Sequence, residues 1–143
     1  MELKITMEPF GSQPPVQRPP KEFLEQITED GIRKLIHDHY NLLVQSEIKH
    51  LFPSDDHELA KAKKHAADFF IQICGGYPYF NETRGTPVLR KRHRPFKINM
   101  HAREVWLQCY QKLLPKLELP EELILAFWNY LDKFSLYMVN SED

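Results

Sequence analysis

The chain has 143 residues, 42% of them hydrophobic, 12% aromatic and 27% charged. That is enough for one domain with a substantial core, and too aromatic for a disordered chain. Nineteen lysines and arginines against twenty acids give a formal net charge of -1, which argues against a globally basic nucleic-acid coat protein; two cysteines, Cys74 and Cys109, are too few for a disulfide scaffold or an all-cysteine metal site.

Residues 1–20 crowd Pro9, Pro14, Pro15, Pro19 and Pro20 around Gly11, Ser12 and Gln13. Prolines fix φ and remove backbone donors, so this stretch is expected to be an extended, flexible tail ahead of a single domain over 21–143. Its start lacks the charged-then-apolar pattern of a signal peptide, and no apolar run approaches the roughly 20 residues that span a bilayer. The expected compartment is the cytoplasm.

From Pro20 onward the pattern is helical. Residues 21–27 allow a short helix, and Thr28 offers an N-cap, with Glu29 and Asp30 favourable in the first turn. Ile32, Leu35, Ile36, Tyr40 and Leu43 then share one helical face, and Phe52-Pro53 breaks the pattern. Ser54, Asp55 and Asp56 start the next helix, whose apolar face carries Leu59, Ala62, Ala66, Phe69, Phe70 and Ile73. Gly75-Gly76 stops it, because glycine accepts the left-handed conformation at a helix end. Residues 77–98 hold Pro78, Gly85, Pro87 and Pro95, which leave room for a loop with one or two short helical turns. Asn99 caps a helix striped by Ala102, Val105, Trp106, Cys109, Tyr110 and Leu113, which Pro115 ends. Pro120 suits a first helical position, and Leu123, Ile124, Phe127, Leu131, Phe134 and Met138 stripe the last helix. No strand-like alternation occurs, so the fold class is all-α.

The loop from Arg84 to Lys97 carries the densest chemistry. Arg84, Arg90, Lys91, Arg92, Arg94 and Lys97 surround His93 with no acid among them. Three readings stay open from the residues alone: a solvated basic loop, a phosphate-binding patch, or a histidine that ligates a metal while arginines hold an anion. The other histidines build no zinc site. His37 and His39 lie two apart on a helix and face different ways, and His57 and His65 lack a completing cysteine or carboxylate. There is no glycine-rich phosphate loop and no nucleophile elbow. Tyr40, Phe52, Phe69, Phe70, Phe96 and Trp106 fall on inward faces or at helix ends and read first as core. Tyr40 and Trp106 differ, since each has a polar hydrogen that needs a partner when buried. Two such donors facing an apolar cavity could hold a small polar ligand.

The run Gly75-Gly76, Gly85-x-Pro87, Leu89-Arg90-x-Arg92-His93-x-Pro95-Phe96-x-Ile98 and Arg103-x-x-Trp106-Leu107 resembles the central signature of the group II truncated haemoglobins. His39-Tyr40 and Phe52-Pro53 upstream, and Val139-Asn140-Ser141 after the last helix, extend that resemblance over about residues 27–141. It implies a two-over-two truncated globin fold, with a long irregular segment before the proximal histidine, around haem b (iron protoporphyrin IX). His93 matches the proximal iron ligand. Tyr40 and Trp106 match distal donors to bound dioxygen. Phe52, Ala62, Ala66, Phe69, Phe70, Phe96 and Ile98 would line the haem pocket. Phe52 stands where several relatives carry tyrosine, Ala62 leaves an open route to the iron, and Ala66 enlarges the pocket. Arg92 is the expected partner of a haem propionate, with His65 a second contact at the haem edge.

The implied function is binding of dioxygen, carbon monoxide and nitric oxide at a five-coordinate iron, for redox chemistry or ligand scavenging and not bulk transport. Turnover, peroxidase-like or on nitric oxide, would need an external reductase, since no flavin or nicotinamide motif lies in the chain. It stays open. The alternative is a helical phosphate- or nucleic-acid-binding module that uses loop 84–97, although nucleic acid is not expected with acids dominating elsewhere. A globin-like fold without haem is a third reading, which an intact His93, Tyr40 and Trp106 oppose.

Overall fold

Side chains at the expected offsets set the starts of two of the long helices. In the computed structural model, which describes residues 1–142, the order is α1 (Lys21–Leu43), a 3-10 turn (Lys49–Leu51), α2 (Asp56–Ile73), α3 (Tyr79–Arg84), α4 (Leu89–Arg92), α5 (Met100–Leu113), a second 3-10 turn (Leu114–Lys116) and α6 (Glu121–Leu136). No strand occurs among the described residues. No helix among them is long and apolar enough to cross a membrane. Asp55 caps α2 by accepting from Glu58 N at 2.9 Å, and Asn99 caps α5 by accepting from Ala102 N at 2.8 Å. Pro120 sits one position earlier than expected, as the residue preceding α6.

Helix α1 is two helices meeting at Thr28. That residue has φ 71 and ψ 165, and its Oγ1 accepts from Gly31 N at 3.2 Å. The side chain starts the second helix while its own backbone breaks the first. α1 packs against α2, and α5 against α6, with α1 also touching α5 and α6. Phe23 stacks on Phe127 at 4.5 Å between ring centres, and Ile32, Ile36, Ile71, Leu107, Tyr110 and Leu131 fill the interior between the two pairs. Each such side chain contributes about 1.5–3 kcal/mol through burial. Gly76 is required by a close approach: a Cβ there would meet Leu24 Cδ2 at 2.7 Å and the Ile71 carbonyl at 2.8 Å.

The amino-terminal stretch corrects the expectation of a loose tail. Residues 1–20 have neither helix nor strand and turn once at Phe10-Gly11, but they are fastened to α5 and α6. Leu3 is buried in the core and Val16 packs against it. Trp128 Nε1 donates to the Lys4 carbonyl at 2.9 Å, Gln111 to Leu3 at 2.8 Å and the Tyr137 hydroxyl to Pro14 at 2.6 Å. Thr6 N donates to the buried Asp132 carboxylate at 2.9 Å, and Arg103, equally buried, donates to the Thr6 carbonyl at 2.9 Å and to Asp132 at 2.7 Å. Composition describes the backbone of such a segment. It does not reveal that distant polar groups on α5 and α6 are waiting for its carbonyls.

Candidate functional site

α1, α2, α5, α6 and the loop 77–99 enclose one apolar cavity of about 380 Å3. That is the size range of small-molecule and cofactor sites. It gathers every residue singled out from sequence: Tyr40 from α1; Phe52 from the corner; Ala62, His65, Ala66, Phe69 and Phe70 from α2; Arg92, His93, Phe96 and Ile98 from the loop; Trp106 from α5. Phe96 departs from its expected inward position. It is 44% exposed, because the loop past His93 turns along the surface.

His93 ends α4, where it is half-buried. Its Nδ1 lies 2.7 Å from the Leu89 carbonyl one turn back. A carbonyl only accepts, so Nδ1 carries a proton, and Nε2 is the ring nitrogen without a protein partner among the described residues. An imidazole fixed in one tautomer by a backbone carbonyl is the arrangement that orients metal-ligating histidines. Asn140, beyond α6, holds the peptide that follows. Its Nδ2 donates to the Phe96 carbonyl at 2.8 Å and to the His93 carbonyl at 3.3 Å, and its Oδ1 accepts from Ile98 N at 2.9 Å.

Across the same cavity stand two donors without protein partners. Neither the Tyr40 hydroxyl nor Trp106 Nε1 makes a hydrogen bond to the described residues, and both side chains line the cavity. Burial pushes the Tyr40 hydroxyl up to about 12, so it remains a donor at any physiological pH. Behind Trp106 sits His39, fully buried, with its ring stacked 3.6 Å from that of Tyr110. His39 Nε2 donates to the Trp106 carbonyl at 2.9 Å and so ties α5 to α1 at the site. Desolvation lowers the His39 pKa to about 3, only partly opposed by that bond, which keeps the ring neutral.

The rim is cationic, with a distribution that differs from expectation. Arg92 Nε donates to the Pro87 carbonyl at 2.6 Å, and Nη2 to Arg84 at 2.8 Å and Thr86 at 3.2 Å. Its guanidinium braces the loop and leaves only Nη1 for an anion. Arg84, which sequence reasoning left out of the site, donates through Nη1 to His65 Nδ1 at 2.7 Å. Desolvation, and then the charges of Arg84 and Lys64, lower the His65 pKa, so His65 stays neutral beside a cation. His39, Asn140, Arg84 and the Leu89 carbonyl are the site elements missed from sequence. His39 had a signal, since it falls on the stripe of Ile32, Leu35, Ile36 and Leu43. The Leu89 carbonyl had none, because any residue supplies one.

A histidine with one fixed, free nitrogen, apolar walls, two donors without protein partners and a cationic rim fit a planar, anionic, metal-centred group such as haem. The comparisons agree. The chain belongs to the bacterial-like globin family, whose model matches residues 22–140. Within it the chain groups with the group II truncated haemoglobins. It is 31% identical over 120 residues to Group 2 truncated hemoglobin YjbI of Bacillus subtilis (strain 168), covering 83% of this chain and 89% of that one. Among solved structures, phosphate-bound Hell's gate globin IV superposes with a TM-score of 0.89 at 35% identity, over 96% of this chain and 86% of that one. The haemoglobin of Chloroflexus aurantiacus gives a TM-score of 0.75 at 32% identity, over 82% of this chain and 97% of that one. A match over 96% of this chain takes in most of the fastened amino-terminal stretch; one over 82% does not require it. The family is one of haem proteins that bind diatomic gases.

Proposed function

We propose that this chain holds haem b through His93 Nε2 and binds dioxygen and related diatomics, with Tyr40 and Trp106 as hydrogen-bond donors to the bound ligand. The observation that carries the reading is the His93 ring. Its Nδ1 is committed to the Leu89 carbonyl at 2.7 Å, so the cavity receives a single, oriented lone pair. The haem supplies an iron centre that takes a diatomic ligand and changes oxidation state. The chain supplies the rest. Phe52, Ala62, Ala66, Phe69, Phe70 and Ile98 exclude water from the pocket. Arg84, with the neutral His65 beside it, offers the cation for a propionate, while Arg92 keeps the loop closed.

A donor to a partly charged ligand contributes about 1.5–3 kcal/mol, which is roughly ten- to a hundredfold in release rate. Two donors therefore give tight binding and slow release, which suits redox chemistry or scavenging better than transport. A similar structure from Bacillus subtilis, at 29% identity, is described as an oxygen-avid haemoglobin, and this chain is assigned the same avidity. The test is an absorption spectrum with one equivalent of hemin, oxidised and then reduced under carbon monoxide. A sharp Soret band that moves on reduction and on carbon monoxide supports the reading; a free-hemin spectrum rejects it. Tyr40→Phe and Trp106→Phe should each speed dioxygen release, and unchanged release in both removes the distal assignment.

A further inference from the structure

The charge of this chain is strongly divided. Residues 84–97 carry six cations and no acid, so the rest of the chain, with thirteen cations and twenty acids, carries a net charge of -7. Arg92 is used inside the loop and Arg84 faces His65. Arg94 and Lys97 are different: both are exposed and neither has an ion-pair partner among the described residues. They flank the exposed ring of Phe96 in a shallow surface depression completed by Pro95, Asn140 and Ser141. Phe96 also lines the cavity that holds His93. One ring thus separates a cationic surface depression from the prosthetic-group pocket. Glu142, next along the chain from Ser141, is the nearest acid in sequence and does not form part of the depression.

We propose that the surface around Phe96, Arg94 and Lys97 docks an acidic one-electron donor protein of the flavodoxin or ferredoxin kind. The inference rests on the haem reading above. One electron leaves the partner's reduced cofactor and is taken up by the ferric haem, with no bond made and no proton required. The occupant follows from charge and shape together. Cations around an exposed aromatic ring form a small apolar centre with a charged rim, which is the anatomy of a transient protein interface. The net negative charge of the rest of the chain favours approach of a compact acidic patch at this loop. It also repels an extended polyanion, whose charge would have to run on past the loop. Phe96, which lines both the depression and the pocket, gives an electron-transfer contact a side chain common to partner and prosthetic group.

The experiment uses the haem-loaded full chain and an acidic, FMN-loaded flavodoxin as probe. Two readouts are taken: the dissociation constant from titration with the oxidised flavodoxin, and the rate of haem reduction by the reduced form. Raising the ionic strength from about 0.01 M to about 0.1 M, which shortens the screening length threefold, should weaken binding at least tenfold. Arg94→Glu and Lys97→Glu should each weaken binding and slow reduction about tenfold, while the Soret spectrum and hemin affinity stay unchanged. Lys116→Glu makes the same charge change in the second 3-10 turn, outside the depression, and it should shift binding less than twofold. Binding that ignores salt, or an equal loss in Lys116→Glu, overturns the proposal. So does tighter binding of a short single-stranded DNA at Arg94 and Lys97, which would assign the face to nucleic acid. Salt-sensitive self-association abolished by Arg94→Glu would assign it to a second copy of this chain. A normally pigmented protein that does not bind flavodoxin rejects the docking surface alone; a protein without the haem spectrum rejects the reading beneath it.

Discussion

The two walls of the cavity are made by different means. One wall is helical: Tyr40, Ala66, Phe69 and Trp106 are held by packing of α1, α2 and α5, whose neighbours in the core are almost wholly out of water. The other is the segment 77–99, which has only two short helices and little core of its own. It is held by hydrogen bonds to its own carbonyls: three from Arg92, two from Asn140 and one from His93. The guanidinium of Arg92 also lies 5.3 Å over the ring of Phe80, which is buried against the core. The wall that positions small donors is rigid through packing. The wall that carries the proposed ligand to iron is rigid through polar contacts that single substitutions can remove.

The comparison breaks hardest at His93. His93→Ala removes the one oriented lone pair and should abolish stable haem incorporation; a normal pigment in that variant overturns the assignment. Asn140→Ala comes next. It removes three hydrogen bonds from the peptide around His93, about 0.5–1.5 kcal/mol each, and should speed hemin loss to apomyoglobin roughly tenfold or more. Far-ultraviolet circular dichroism should not change, because no helix depends on that side chain. Hemin loss at the wild-type rate would mean that the polar wall is redundant.

The helical wall is probed by pH. His39 is neutral when folded, with a pKa lowered to about 3 by burial, against 6.5 when unfolded. Below pH 6.5 the unfolded chain takes up the proton first, so the stability His39 contributes is whole above 6.5 and is lost as pH falls towards 3. The loss is about 1.4 kcal/mol for each pH unit in that window. His39→Gln keeps an amide donor for the Trp106 carbonyl and removes the titration. Its denaturation midpoint should fall less steeply between pH 6 and pH 4 than that of the wild type. Equal slopes would place the acid sensitivity elsewhere.

The same division explains what the sequence discloses. The helices, their caps at Thr28, Asp55 and Asn99, and the stop at Gly75-Gly76 follow from periodicity and local side chains, and the structure contains each of them. The irregular segment was legible as a loop with one or two short helical turns, which α3 and α4 supply. Its site residues came from resemblance to a family, because a carbonyl acceptor such as that of Leu89 has no side-chain signature. Arg92 shows the limit most plainly. The resemblance implies that it pairs with a propionate, and only the folded loop shows it turned inward to three carbonyls. The fastening of residues 1–20 was hidden for a related reason. Asp132 and Arg103 look like two ordinary charges on helices until Thr6 is placed between them.

The smallest expected effect is at Val88, where the loop carries backbone strain in plain view. Val88 precedes α4 with φ 36 and ψ 51, a left-handed conformation that a β-branched side chain rarely adopts, and it is 50% exposed. Nothing around an exposed side chain rewards valine there. Asparagine tolerates that region, so Val88→Asn should stabilise the fold by about 1 kcal/mol and raise the melting temperature by roughly 2–4 °C. The Val88 carbonyl accepts from Arg92 N at 3.1 Å and so helps to start the turn that ends at His93. If packing and side-chain bonds alone set the histidine, hemin loss in Val88→Asn should match the wild type while the melting temperature rises. A faster hemin loss at higher stability would mean instead that the strain at Val88 presses His93 into place, and that the polar wall is sprung as well as tied.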